Sequence, residues 1–121
     1  NYRYNIMKGC MYAGLAFSNT QTAIAHAISY YITSHKGIGH GIACSFTLPM
    51  LIDNIIGKYE FIDEALVEIF GELSSIKIRD TFKKLNISTK FNDYDISNKE
   101  LKELELSLKN NQRAANSLVD L

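Results

Sequence analysis

Residues 13–49 read AGLAFSNTQTAIAHAISYYITSHKGIGHGIACSFTLP and contain all three histidines of the chain, His26, His35 and His40. His26 and His40 are fourteen residues apart, so one continuous α-helix would separate them by about 21 Å along its axis. The intervening KGIG at 36–39 favours a helix end instead, because a basic residue followed by glycine is typical of a helix C-terminus. Two helices that meet at this turn can direct both imidazoles into one space, as ligation of one metal ion at about 2.0–2.1 Å requires.

The distribution of charge predicts that part of this chain is covered by a neighbour. The total is balanced, with 13 basic and 13 acidic residues among 121, so nothing indicates a nucleic-acid or anionic-membrane partner. Residues 1–57 contain only Arg3, Lys8, Lys36 and Asp53, and the other 22 charged residues lie at 58–121. A charge-poor segment of this length, within what is at most one domain, predicts a covering second domain or second subunit.

The two cysteines and the apolar stretches give no sign of secretion or of membrane insertion. Cys10 and Cys44 form no CxxC pair, and both are expected to be small buried apolar residues in a reducing, cytoplasmic setting. The longest apolar stretch, residues 41–52, is too short to span a bilayer. The N-terminus has no signal-peptide pattern.

Helical periodicity predicts an all-α chain, with helices at 2–16, 20–34, 40–57, 61–73, 75–85, 98–109 and 112–119. Thr20 and Ser97 are the predicted N-caps of the second and sixth helices, and Pro49 predicts a kink within the third. Residues 86–96 are predicted to be a loop, with a short extended part at 87–91. The first helix is expected to pack through Ile6, Cys10, Ala13 and Phe17, with Gly9 and Gly14 as points of close approach.

The second predicted helix is apolar on most sides, as expected of an interior helix. One polar line runs along it at helical spacing through Thr22, His26, Ser29 and Thr33, with Tyr30 beside it. Buried polar atoms need partners, so this line must face a hydrogen-bond network, water or a ligand. From the residues alone, a histidine that is only hydrogen-bonded in the core is the alternative to a metal ligand.

The segment AGLAFSN at 13–19, followed by His26 and then by His40-Gly41, resembles the metal-binding signature of the iron-containing (group III) alcohol dehydrogenases. The resemblance implies that residues 1–121 form the helical C-terminal domain of a dehydroquinate synthase-like fold, with His26 and His40 as metal ligands. It also implies that Ser18 and Asn19 lie near cofactor or substrate, although an ordinary cap and turn is the alternative. His35 is expected to be an exposed turn residue.

Three differences from the family pattern refine this interpretation. Tyr30 stands where the family usually has a histidine near the nicotinamide and substrate, so Tyr30 is the predicted catalytic residue. Gly39 replaces the usual proline before the second ligand. The 25 residues before His26 contain no aspartate, glutamate or histidine, whereas the family supplies two more ligands, an aspartate and a histidine, from an earlier helix. We therefore predict a fragment that lacks the upstream nucleotide-binding α/β domain and is inactive alone.

The resemblance implies a metal-dependent dehydrogenase that exchanges hydride between a small alcohol or aldehyde and NAD or NADP. The metal would be Fe²⁺ or Zn²⁺, the cofactor would be held mainly by the upstream domain, and the enzyme would be a cytoplasmic homo-oligomer. SYYITSH at 29–35 and ACSFTLP at 43–49 resemble the phosphonoacetaldehyde reductase branch. The alternative is a non-catalytic helical interaction domain in which His26 and His40 are core residues.

Overall fold

The computed structural model describes residues 1–118, and all the regular structure within them is helical. This confirms the all-α prediction. The α-helices are α1 (Tyr2–Ser18), α2 (Ile24–Lys36), α3 (His40–Ser45), α4 (Leu48–Ile55), α5 (Glu60–Phe70), α6 (Ser74–Lys84), α7 (Asn98–Leu108) and α8 (Gln112–Ala115), and a 3₁₀ turn spans Phe91–Tyr94. No helix among these residues is long and apolar enough to cross a membrane.

The hydrophobic core is built around α2, which packs against α3, α7 and α8. Its buried apolar side chains are Ile24, Ala27, Ile28 and Ile32. Phe46, which follows α3 directly, is fully buried, and its ring lies 5.1 Å from that of Phe91 and 4.8 Å from that of Tyr94. α4 packs on α6, and α6 on α5, in a second group of helices. The first group determines where the histidines lie.

The C-terminus of α2 is fixed by its glycine and by an ion pair. Gly37 adopts the left-handed conformation with φ of 65°, which a residue without a Cβ adopts at little cost. Lys36 pairs with Glu100 on α7 at 2.6 Å. This contact has the largest effect in lowering the pKa of Glu100 to about 2, and hydrogen bonds from Ser97 lower it further. Ser97 and Glu100 form a capping box at the start of α7. The predicted turn at 36–39 and the predicted Ser97 cap are both confirmed.

The predicted Thr20 cap is wrong. α2 begins at Ile24, after Ala23 as its N-cap, with no side-chain cap. The Thr20 hydroxyl instead donates to the Ala16 carbonyl at 3.5 Å. That carbonyl belongs to the last turn of α1, where no amide of the helix can reach it, so the hydroxyl completes the preceding helix rather than starting the next one.

The predicted helix at 40–57 is two helices, because α3 ends at Ser45 and α4 begins at Leu48. Pro49 lies in the first turn of α4, where a missing N–H leaves no intrahelical bond unmade. The proline therefore starts a helix instead of bending one. The predicted extended part at 87–91 has no strand. The last helix ends at Ala115, and the end that was predicted for it, at 119, lies outside the described residues.

No residue of α1 is buried among the described residues, so the packing expected of this helix is not formed within them. Its apolar side chains are exposed by 55% or more, at Tyr2, Tyr4, Ile6, Met7, Met11, Tyr12, Leu15 and Phe17. A Cβ added at Gly9 or Gly14 would meet nothing within 4 Å. Within residues 1–118 no other element covers α1, although its sequence has the apolar character of a covered helix.

Candidate metal centre

His26 and His40 lie close together, at the junction of α2 and α3. Their ring centroids are 5.5 Å apart and the rings are inclined at 75°. His26 is on the first turn of α2 and is partly buried, whereas His40 is the first residue of α3 and is exposed. The turn at 36–39 reverses the chain between the two helices, so two residues fourteen apart in sequence become spatial neighbours.

Cys44 is a third potential donor, although its residue type and surroundings predicted a buried apolar side chain. Its Sγ lies 3.4 Å from His40 Nε2. One ligand atom each from His26, His40 and Cys44 lie within 4.8 Å of one another. The prediction of burial is wrong for both cysteines, since Cys44 is only partly buried and Cys10 is exposed on α1. The sequence did contain a signal, because Cys44 follows His40 by four residues and so shares its helix face.

The cluster suits a divalent cation. The pKa of His26 lies below its ordinary value of 6.5, first because burial disfavours the charged ring and then because His40 and Arg113 add positive charge nearby. A neutral imidazole has a free lone pair and is the form that binds metal. Two imidazoles and a thiol form a donor set of intermediate softness, which suits iron, zinc and similar metals.

Tyr30 lies beside this cluster. It follows His26 by one helical turn, its side chain is 48% exposed, and its ring centroid is 5.9 Å from that of His40. The guanidinium carbon of Arg113 lies 5.2 Å from the Tyr30 ring centroid. Arg113 belongs to α8, 83 residues later in the chain, and no local pattern in the sequence indicated that it reaches the site.

Ser18 and Asn19 are both exposed at the end of α1. The Ser18 hydroxyl donates to the Leu15 carbonyl at 2.8 Å, and Asn19 is the C-cap of the helix. A cleft of about 560 Å³ lies between this junction and α8, lined by Phe17, Thr20, Gln21, Thr22, Asn110, Asn111, Gln112 and Arg113. Ser18 and Asn19 therefore lie between two residues that line the cleft, and their contact with a cofactor stays a prediction.

The other polar side chains of α2 differ in whether they form hydrogen bonds. The Ser29 hydroxyl is buried and donates to the His26 carbonyl at 2.8 Å, whereas the buried Thr33 hydroxyl has no hydrogen-bond partner. His35 is exposed as predicted. Its ring stacks on Tyr31 at 4.2 Å, so it lies outside the metal cluster.

This all-α domain brings two histidines and a cysteine together across a helix–turn–helix junction, in a group that could hold a metal ion. The family model described as Fe-containing alcohol dehydrogenase family, C-terminal, matches residues 1–117. The chain belongs to this family, which confirms the resemblance noted in its sequence. Comparisons with curated proteins and with solved structures gave no match.

Proposed function

We propose that residues 1–121 are the metal-binding C-terminal domain of an NAD(P)-linked alcohol dehydrogenase or aldehyde reductase. His26 and His40 are the proposed metal ligands. The observation that supports this most strongly is the 5.5 Å approach of their rings across the turn at 36–39. Membership of the family supports the same assignment.

The residues of this chain have distinct proposed roles around the metal. A bound Fe²⁺ or Zn²⁺ would supply Lewis acidity toward the oxygen of an alcohol or aldehyde. His26 and His40 would hold the cation through neutral imidazoles, and the lowered pKa of His26 favours the neutral form of that ring. Tyr30 would border the substrate and limit the access of water, since its ring lies next to His40.

The nicotinamide cofactor would be bound mainly outside this chain. We propose that an upstream α/β domain holds NAD or NADP and that Ser18 and Asn19, next to the cleft at the α1–α2 junction, contact it. The same upstream part would supply an aspartate and a histidine as further metal ligands. On this proposal the chain alone is inactive, and the whole enzyme is a cytoplasmic homo-oligomer.

The substrate is proposed to be a small alcohol or aldehyde. The resemblance of 29–35 and 43–49 to phosphonoacetaldehyde reductases supports a substrate that carries an anionic group. The position of Arg113 supports the same class, because its guanidinium lies over Tyr30 and adds positive charge near His26.

The proposal is tested by measuring the metal content and the activity of the full-length enzyme after dialysis, in the wild type and in the variants His26→Ala and His40→Ala. His35→Ala is the matched control, because that ring is exposed and stacks on Tyr31 outside the cluster. We expect the first two variants to lose metal and activity by more than about tenfold, since even outer-shell partners of a metal contribute about 10–100-fold, and the control to keep both. Unchanged metal content and activity in all three variants would refute the proposal.

A specific observation favours a second candidate function, an interaction domain in which His26 and His40 are only hydrogen-bonded. The apolar side chains of α1 are exposed on a helix that contains only Arg3 and Lys8 as charged residues, and an exposed apolar surface of this kind marks an interface. Light scattering of the chain with and without metal tests it. Association that is independent of metal and is abolished by Met7→Lys with Met11→Lys would support this candidate, and a monomer would count against it.

A further inference from the structure

We infer that Cys44 is a third ligand of the metal held by His26 and His40, so that this chain alone provides a mixed histidine and thiolate donor set. The inference rests on the proposed metal site and adds to it a residue that binds the ion directly.

The distance between the sulfur and the nitrogen is that of two ligands on one ion. Metal–sulfur and metal–nitrogen bonds of about 2.3 and 2.0–2.1 Å place two ligand atoms about 3.6 Å apart at a tetrahedral angle and about 3.1 Å apart at a right angle. Cys44 Sγ and His40 Nε2 are 3.4 Å apart, between these two values. The ligand atoms of His26, His40 and Cys44 all lie within 4.8 Å of one another.

The helix face that Cys44 occupies is the face of the metal cluster. On the same short segment, Ala43 and Phe46 take the fully buried positions, whereas Cys44 lies one turn after His40 and is only partly buried. A cysteine whose side chain packed in the hydrophobic core would lie on the same helix face as Ala43. Its position beside His40 instead makes it available to an ion that both imidazoles bind.

Coordination by the thiolate also balances charge. When the ion binds, the S–H bond of Cys44 breaks, a sulfur–metal bond forms and the proton passes to solvent. The resulting negative charge offsets part of the charge of the cation, since the cluster found among the described residues includes no carboxylate. Because sulfur is a soft ligand, a site that includes Cys44 favours Zn²⁺ or Co²⁺ more strongly than a site with only nitrogen and oxygen ligands does.

Cobalt spectroscopy on the full 121-residue chain tests the inference without any measurement of catalysis. Under reducing, anaerobic conditions, Co²⁺ is added to the wild-type chain and to Cys44→Ser, Cys44→Ala and Cys10→Ser. Cys10→Ser is the matched control, because Cys10 is the other free cysteine and is exposed on α1. Circular dichroism verifies that each variant is folded.

We expect a near-ultraviolet sulfur-to-cobalt charge-transfer band in the wild type and in Cys10→Ser. Both Cys44 variants should lose this band and bind Co²⁺ more than about tenfold more weakly, a loss at least as large as that for an outer-shell partner. Visible cobalt bands without charge transfer in the wild type would overturn the inference and leave the histidine site standing. The same spectrum in wild type and Cys44→Ser, or no binding of cobalt by the chain, would also overturn it. The proposed function fails separately, if the histidine variants of the full-length enzyme retain their metal.

Discussion

Gly37 holds the turn that brings His40 to His26, and replacing it with alanine measures what this turn contributes to stability. Its φ of 65° is left-handed, and a Cβ at this position would meet nothing within 4 Å. The cost of Gly37→Ala therefore comes from the backbone alone, about 1–2 kcal/mol for an L-residue in this conformation. We expect the free energy of unfolding to fall by that amount.

Gly39 provides the matched control two residues later. It also has open space around its Cα, but its φ of −51° and ψ of 131° are accessible to alanine. We expect Gly39→Ala to change the free energy of unfolding by less than about 0.5 kcal/mol. Alanine stabilises the fold by lowering the entropy of the unfolded chain, and this offsets the loss that comes from alanine being a poorer N-cap than glycine. Urea unfolding followed by circular dichroism compares the two. Equal effects of both substitutions would refute the assignment of a left-handed turn at Gly37.

Three further measurements test the core, a helix cap and the electrostatics of the site. Phe46 is fully buried whereas Phe61 is 62% exposed. In urea unfolding, Phe46→Ala should lower the free energy of unfolding by about 3–5 kcal/mol and Phe61→Ala by less than about 0.5 kcal/mol. Similar decreases in the two variants would contradict the buried position of Phe46. Ser97→Ala should cost about 1 kcal/mol through loss of the capping box, and an unchanged midpoint would exclude that cap. In an NMR titration without metal, the pKa of His26 should lie below its ordinary value of 6.5 and rise in His40→Gln, because positive charge at His40 is one cause of the lowering. The unfolded chain binds a proton at His26 more readily than the folded chain does. The free energy of unfolding should therefore decrease as the pH falls below 6.5 and through the pKa of the folded state. If His26→Gln leaves the dependence of this free energy on pH unchanged, the prediction is contradicted.

The sequence was sufficient to predict features that depend on a few neighbouring residues. The glycine after Lys36 defines the end of α2, and Ser97 with Glu100 three residues later defines the start of α7, because each is a local hydrogen-bonding or backbone requirement. The approach of His26 to His40 followed from the first of these. Pro49 was ambiguous, because a proline restricts the chain in the same way in the middle of a kinked helix and in the first turn of a new one.

Features that depend on distant parts of the chain could not be predicted in this way. Arg113 reaches Tyr30 only because α8 packs on α2, and periodicity within a helix does not specify its partner. Cys44 was misassigned because its residue type is commonly buried, although its spacing from His40 was visible. The apolar pattern of α1 predicted a covered helix, but within residues 1–118 nothing covers it.

The isolation of α1 has a consequence for hydrogen exchange. A helix of 17 residues none of which is buried is marginally stable in water, so its amide protons should exchange with solvent deuterium far faster than those of α2, whose buried face packs against α3, α7 and α8. If another domain or subunit binds over α1, these amides become protected while those of α2 change little. Deuterium uptake by α1 can therefore report the docking of a neighbour whose identity is not known beforehand.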